Sequence, residues 1–201
     1  MGRPREFEEH DVLDQALDVF WQRGYAGTSV RDLTAATGVA ASALYRTWGD
    51  KHNLFLRVLD RYATNQAATF GEHVARSGAV PDLLRGWLMS RVEEARADRD
   101  GRGCLMVNTA AELGTNDRLA AERARAAWKV LRDGLEQTIR RGQETGEVAA
   151  SVDPGAVSEL LLTTVLGLRV RGRAGEPRHV LEQAVNAAVG TLNPKRTRPH
   201  R

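Results

Sequence analysis

The chain has one cysteine, Cys104, among 201 residues. That excludes an intrachain disulfide framework and fits a reducing compartment, so a cytoplasmic protein is expected. Aromatic residues make up 5% of the sequence, and no stretch alternates in the manner of a half-buried strand. No window approaches the roughly 18 consecutive apolar residues of a membrane span. No apolar run follows Arg3 and Arg5, so no signal peptide is expected. His10, His52, His73, His179 and His200 have no metal-ligand spacing with one another or with Cys104. A phosphate-cradling glycine loop and a nucleophile elbow are both missing. No metal, cofactor or enzymatic role is therefore expected.

A net excess of either charge is small too. The formal net charge is +3, with 42% hydrophobic and 27% charged residues, the composition of a globular chain. The first 52 residues hold six Lys/Arg against eight Asp/Glu. The acids gather at the front and outer face of the first helical stretch (Glu6, Glu8, Glu9, Asp11, Asp14, Asp18), while bases bracket the segment that follows it. A basic footprint of the kind nucleic-acid readers carry is not evident there.

What is present is helical periodicity. From Thr28 to Trp48 the sequence reads as two short helices joined at Gly38. Thr28 or Ser29 is placed to cap the first, with Asp32 at capping-box distance from Ser29. Val30, Leu33 and Ala36 give it one apolar face, and Gly38 supplies the turn. Val39, Ala43 and Leu44 return to the same core. This leaves Ala40, Ala41, Ser42, Tyr45, Arg46 and Thr47 outward, a small, polar and aromatic face suited to a major groove. The pattern is that of a helix-turn-helix.

Around it, a helix is expected from about Glu8 to Arg23 and another from Asp50 or Lys51 to about Arg76. Further helices are expected from Pro81, over 104–113, from Arg118 to about Gly142, from Pro154 to 171, and over 177–192. Asp153-Pro154 is a capping acid before a first-turn proline. The apolar residues Val157 to Leu168 spread over several faces of one helix, which fits either a dimer seam or a buried central helix.

These residues resemble the tetracycline-repressor (TetR) family of bacterial regulators. The resemblance rests on Ala16 to Phe20, on Gly24-Tyr25 and Thr28 to Leu33, then on Gly38-Val39, Leu44-Tyr45, Lys51 and Leu54-Phe55. Trp48 departs from the pattern, in which a phenylalanine is usual. Met1 to Phe7, Gly103 to Gly114 and Gly167 to Gly175 resemble one branch of the family. The resemblance implies an all-α homodimer of about nine helices per chain. Its parts would be a helix-turn-helix DNA-binding domain (1–52), an effector-binding and dimerisation domain (53–193) and a basic tail (194–201). The dimer would form through the helices at about 154–171 and 177–192. The implied function is repression at a palindromic operator, released by a small-molecule effector. A helical binding protein with a vestigial helix-turn-helix stands beside it as the alternative.

Candidate site residues follow. The resemblance implies a phosphate contact for Tyr45 and a backbone-contacting lysine in Lys51. Thr28, Ser29 and Arg31 lie at a helix start, where hydroxyls, amides and the helix dipole favour phosphate. Ala41, Ser42 and Arg46 remain for base edges, and Arg46 has the fork that reads guanine. Arg3 and Arg5 are either a minor-groove arm or a plain terminus. Phe70, Trp87, Met89, Cys104, Met106 and Trp128 are candidates for lining an effector cavity, with helix packing as the plain reading of each. Cys104 is either a thiol sensor, with Arg99 and Arg102 nearby, or a small buried hydrophobe.

Overall fold

The computed structural model describes residues 6–193. The basic tail and the Arg3/Arg5 arm fall outside that range. The described residues form α-helices and no strand, as expected of an all-α chain: α1 (Glu6–Arg23), α2 (Val30–Thr37), α3 (Ala41–Trp48), α4 (Lys51–Val74), α5 (Val80–Ala97), α6 (Leu105–Leu113), α7 (Arg118–Glu144), α8 (Pro154–Arg173) and α9 (Arg178–Gly190).

Local chemistry sets the ends of these helices. Ser29 caps α2: its hydroxyl accepts the Asp32 N–H while the Asp32 carboxylate accepts the Ser29 N–H, a complete capping box. Gly38 closes α2 at φ 65°, a left-handed conformation that a Cβ disfavours. Asp153 caps α8 by accepting from the amides of Gly155 and Ala156 at 2.9 and 3.3 Å, ahead of Pro154 at the first helical position.

The chain packs as two units. Among the described residues, one holds 6–66 together with 104–127, and the other holds 67–103 with 128–193. Packing therefore does not divide at residue 52. The first half of α4 belongs with α1: Phe55 packs against Phe20, and Val58 and Leu59 of the same stretch are buried. In the first unit the rings of Phe20, Tyr25 and Phe55 cluster, with centroids of Phe20–Phe55 and Tyr25–Phe55 each 5.0 Å apart. Leu33 and Leu44 fix α2 and α3 to that core, at 1% and 2% exposure. In the second unit α5, α8 and α9 pack on one another around Leu84, Leu88, Leu161, Leu168, Leu181 and Val185. At Gly172 a Cβ would stand 2.5 Å from that of Ala95, so α8 meets α5 where only glycine fits.

Arg61 on α4 donates two hydrogen bonds to Asp14 on α1, at 2.9 and 2.8 Å. This fork holds the Asp14 carboxyl below its ordinary value against a smaller opposing effect of burial. A depressed folded-state value contributes stability above the unfolded pKa of about 3.9, and that contribution disappears as pH falls through the folded value. Asp14→Asn is therefore expected to be less stable than the wild type at neutral pH in urea unfolding. The gap should close as the pH drops below about 4, and a gap independent of pH would contradict the pairing.

Candidate nucleic-acid interface

The outward face of α3 is as the periodicity implied. Ser42, Tyr45, Arg46 and Thr47 are exposed, Tyr45 at 40%, while Leu44 is buried beneath them. Ala41 is half-buried at the first turn. The N-cap of α3 is Ala40, which offers no side-chain hydrogen bond to that helix start. Arg31 on α2 is exposed.

Three of the other candidates sit differently. Thr28 is 1% exposed, and its hydroxyl donates to the Gly24 carbonyl at 2.7 Å. It is a buried brace of the connector rather than a phosphate ligand. The Ser29 hydroxyl donates to the Asp32 carboxylate at 2.6 Å and accepts the Asp32 N–H, so the cap consumes it. Hydrogen bonds from Ser29 keep Asp32 well ionised, with its value below the ordinary one, and Arg23 pairs with the same carboxylate at 2.5 Å. The start of α2 thus already holds an anion of its own. Lys51 points inward: its ammonium donates to the carbonyls of Tyr25 and Thr28 at 3.0 and 2.9 Å and lies 4.2 Å from the Tyr25 ring centroid. Two of its three N–H groups are committed to those carbonyls. Burial pushes the Tyr25 phenol up, and Asp117 and Asp50 add to the shift.

The effector candidates divide as well. Phe70 borders a cleft of about 570 Å³ between α4 and α7, lined also by Val74, Leu131, Gln137, Thr138 and Arg141. Gly71 has open space where a Cβ would be, whereas at Gly134 a Cβ would come within 2.9 Å of the Phe70 ring, so glycine there lets that ring pack close against α7. Trp87 does not line it; it is core, 3% exposed, edge-on to Phe70 at 4.9 Å. Met89 and Trp128 are half-buried against the same core, and the buried Trp128 indole N–H has no hydrogen-bond partner among the described residues. Cys104 and Met106 are buried in the other unit, where the Tyr62 hydroxyl approaches the Cys104 sulfur at 3.6 Å. Packing accounts for Cys104 without a sensor role. Sequence reasoning missed the buried Arg91, which pairs with Glu94 at 2.5 Å beside a second pairing from Arg169 at 3.4 Å. The signal was a charge at a core position of α5, in register with Leu84, Leu88 and Val92.

Comparison with known proteins supplies the rest. The profile of "Bacterial regulatory proteins, tetR family" matches residues 12–58, and that of "Tetracyclin repressor-like, C-terminal domain" matches 82–188, more than half of the chain. The chain belongs to the TetR family. It is a DNA-binding transcriptional regulator. Among its TetR relatives is the HTH-type transcriptional repressor ComR of Escherichia coli, 30% identical over 197 residues, covering 95% of this chain and 90% of ComR. The uncharacterised HTH-type regulator YezE of Bacillus subtilis is 28% identical over 96% of this chain and all of YezE. Of the solved structures, a cysteine mutant of the TetR-family regulator CifR bound to 26-bp operator DNA superposes with a TM-score of 0.80, at 28% identity over 94% of this chain and 98% of that one. A TetR regulator from Chloroflexus aurantiacus superposes at 0.82, with 26% identity over 94% of this chain and 96% of that one.

Proposed function

We propose that this TetR-family chain is a cytoplasmic, dimeric repressor, not an enzyme, that reads a palindromic operator with α3 and releases it when a small molecule binds. The observation that carries the reading is the face of α3, where Ser42, Tyr45, Arg46 and Thr47 stand out from a buried Leu44 with no competing contact from the chain's own caps. The operator-bound CifR relative supports DNA binding over a vestigial motif. In the proposed complex Tyr45, Arg31 and the remaining N–H of Lys51 meet phosphates, while Ser42 and Arg46 face base edges over a first turn kept small by Ala41. Two copies of α3 spaced about 34–36 Å apart would enter successive major grooves.

The pairing surface is α8 with α9. One face of α8 is buried through Leu161, Val165 and Leu168, while Ala156, Leu160, Thr163 and Val170 form an exposed stripe on another. The helix is apolar on several faces because it serves a core and a seam. The cleft beside Phe70, Leu131 and Gln137 is the proposed seat of an effector with an apolar body and one or two polar groups.

The test is anisotropy of labelled duplex from upstream of the chain's own coding region, titrated with folded protein at low salt. Arg46→Ala should lose about tenfold or more for the preferred site and little for other sequences, whereas Arg31→Ala should weaken all duplexes alike. A folded dimer that binds none of these duplexes would overturn the proposal.

A further inference from the structure

The last turn of α6 reaches the connector between α1 and α2, inside the first packing unit. Glu112 accepts the N–H of Tyr25 with Oε2 at 3.1 Å and that of Ala26 with Oε1 at 2.7 Å. Room for this is made at Gly24, where φ is +73° and a Cβ would stand 2.7 Å from Glu112 Oε2. From the other side Lys51 holds the Tyr25 and Thr28 carbonyls. Tyr25 is thus gripped by an anion through its N–H and by a cation through its C=O. One residue past Thr28 the chain enters Ser29, the cap of α2. Just beyond α6, Asp117 makes a second link: one oxygen meets His52 at 2.6 Å, and the other accepts the Ala120 N–H at 3.0 Å at the start of α7.

We propose that Glu112 is a positioning residue for DNA binding: its carboxylate fixes the α1–α2 connector, and through it the pose from which α2 and α3 meet DNA. The inference rests on the DNA-binding reading above. Charge alone predicts the opposite sign. A carboxylate in a unit that approaches phosphates repels them, so its removal should tighten binding. Charge-assisted bonds to two backbone donors between helices act the other way, by holding the amides of a segment whose carbonyls Lys51 holds.

The experiment compares full-length wild type, Glu112→Ala and Glu112→Gln by anisotropy on the same duplex, well below their melting temperatures, with amide hydrogen exchange at Tyr25 and Ala26. Glu112→Ala should bind about tenfold more weakly. Glu112→Gln should fall between, because its amide oxygen still accepts one N–H. Both variants should exchange the Tyr25 and Ala26 amides faster while the Val185 amide on α9 is unchanged. Affinity equal to or tighter than wild type in both variants, with or without a lower melting temperature, would overturn the proposal. Should Glu112→Ala fail to fold, Glu112→Gln decides alone. Absence of binding by the wild type would remove the DNA reading and this one with it, whereas unaltered affinity in the variants would remove only this one.

Discussion

Replacing Leu160 with Asp should split the dimer and abolish operator binding while leaving each chain helical. Leu160 is 42% exposed on α8, and Val170, on the same stripe, is 52% exposed. A two-fold interface places each substitution twice in one contact, so two carboxylates would be buried together. Desolvating an unpaired charge costs several kcal/mol, enough to weaken association by about a thousandfold or more. A monomer presents one α3, which covers a half-site and loses the gain of simultaneous engagement. Sedimentation should show the monomer, circular dichroism an unchanged helical signal, and anisotropy no binding at concentrations that saturate the wild type. A variant that remains dimeric would move the seam away from this face of α8.

Phe55→Ala should cost the first unit about 3–5 kcal/mol, the range for emptying a buried aromatic site. Phe55 is 1% exposed and touches both Phe20 and Tyr25. Against a typical total of about 5–15 kcal/mol this is a large share, equivalent to roughly 10 °C in melting temperature. Function should suffer beyond the fraction unfolded, because Tyr25 also carries the Lys51 ammonium over its ring and would lose the surface it rests on. Thermal unfolding and anisotropy on the same samples check both statements. A shift of only a degree or two would mean the three-ring cluster is not the keystone of that unit.

The parts of this molecule legible in its sequence are those written by neighbours along the chain. Ser29 with Asp32, Gly38, and Asp153 with Pro154 each declare a helix boundary within a few residues, and each boundary lies there. Spacing alone also put Leu33 and Leu44 inside and Tyr45 and Arg46 outside. What spacing did not disclose was contact between distant segments. Lys51 bonds carbonyls 26 and 23 residues away, and Glu112 reaches amides 87 and 86 residues away. Thr28 read as an available hydroxyl because a helix start exposes such groups, yet its own connector folds it back onto Gly24. The core holds most of the effector candidates, because apolar side chains suit helix packing as well as they suit a cavity. The cleft is lined instead by Phe70, Leu131 and Gln137 of α4 and α7, which lie far apart along the chain.

The acid that closes the first turn of α2 has a bearing on how this protein searches a chromosome. Arg23, a cation that could neutralise a phosphate of any duplex and free its counterion, is already engaged with Asp32. Fewer displaced ions mean a smaller entropic reward for arbitrary duplex and less time spent on irrelevant stretches. In the proposed complex, discrimination then falls to the few side chains facing base edges, and the fraction of molecules free to find the correct site rises.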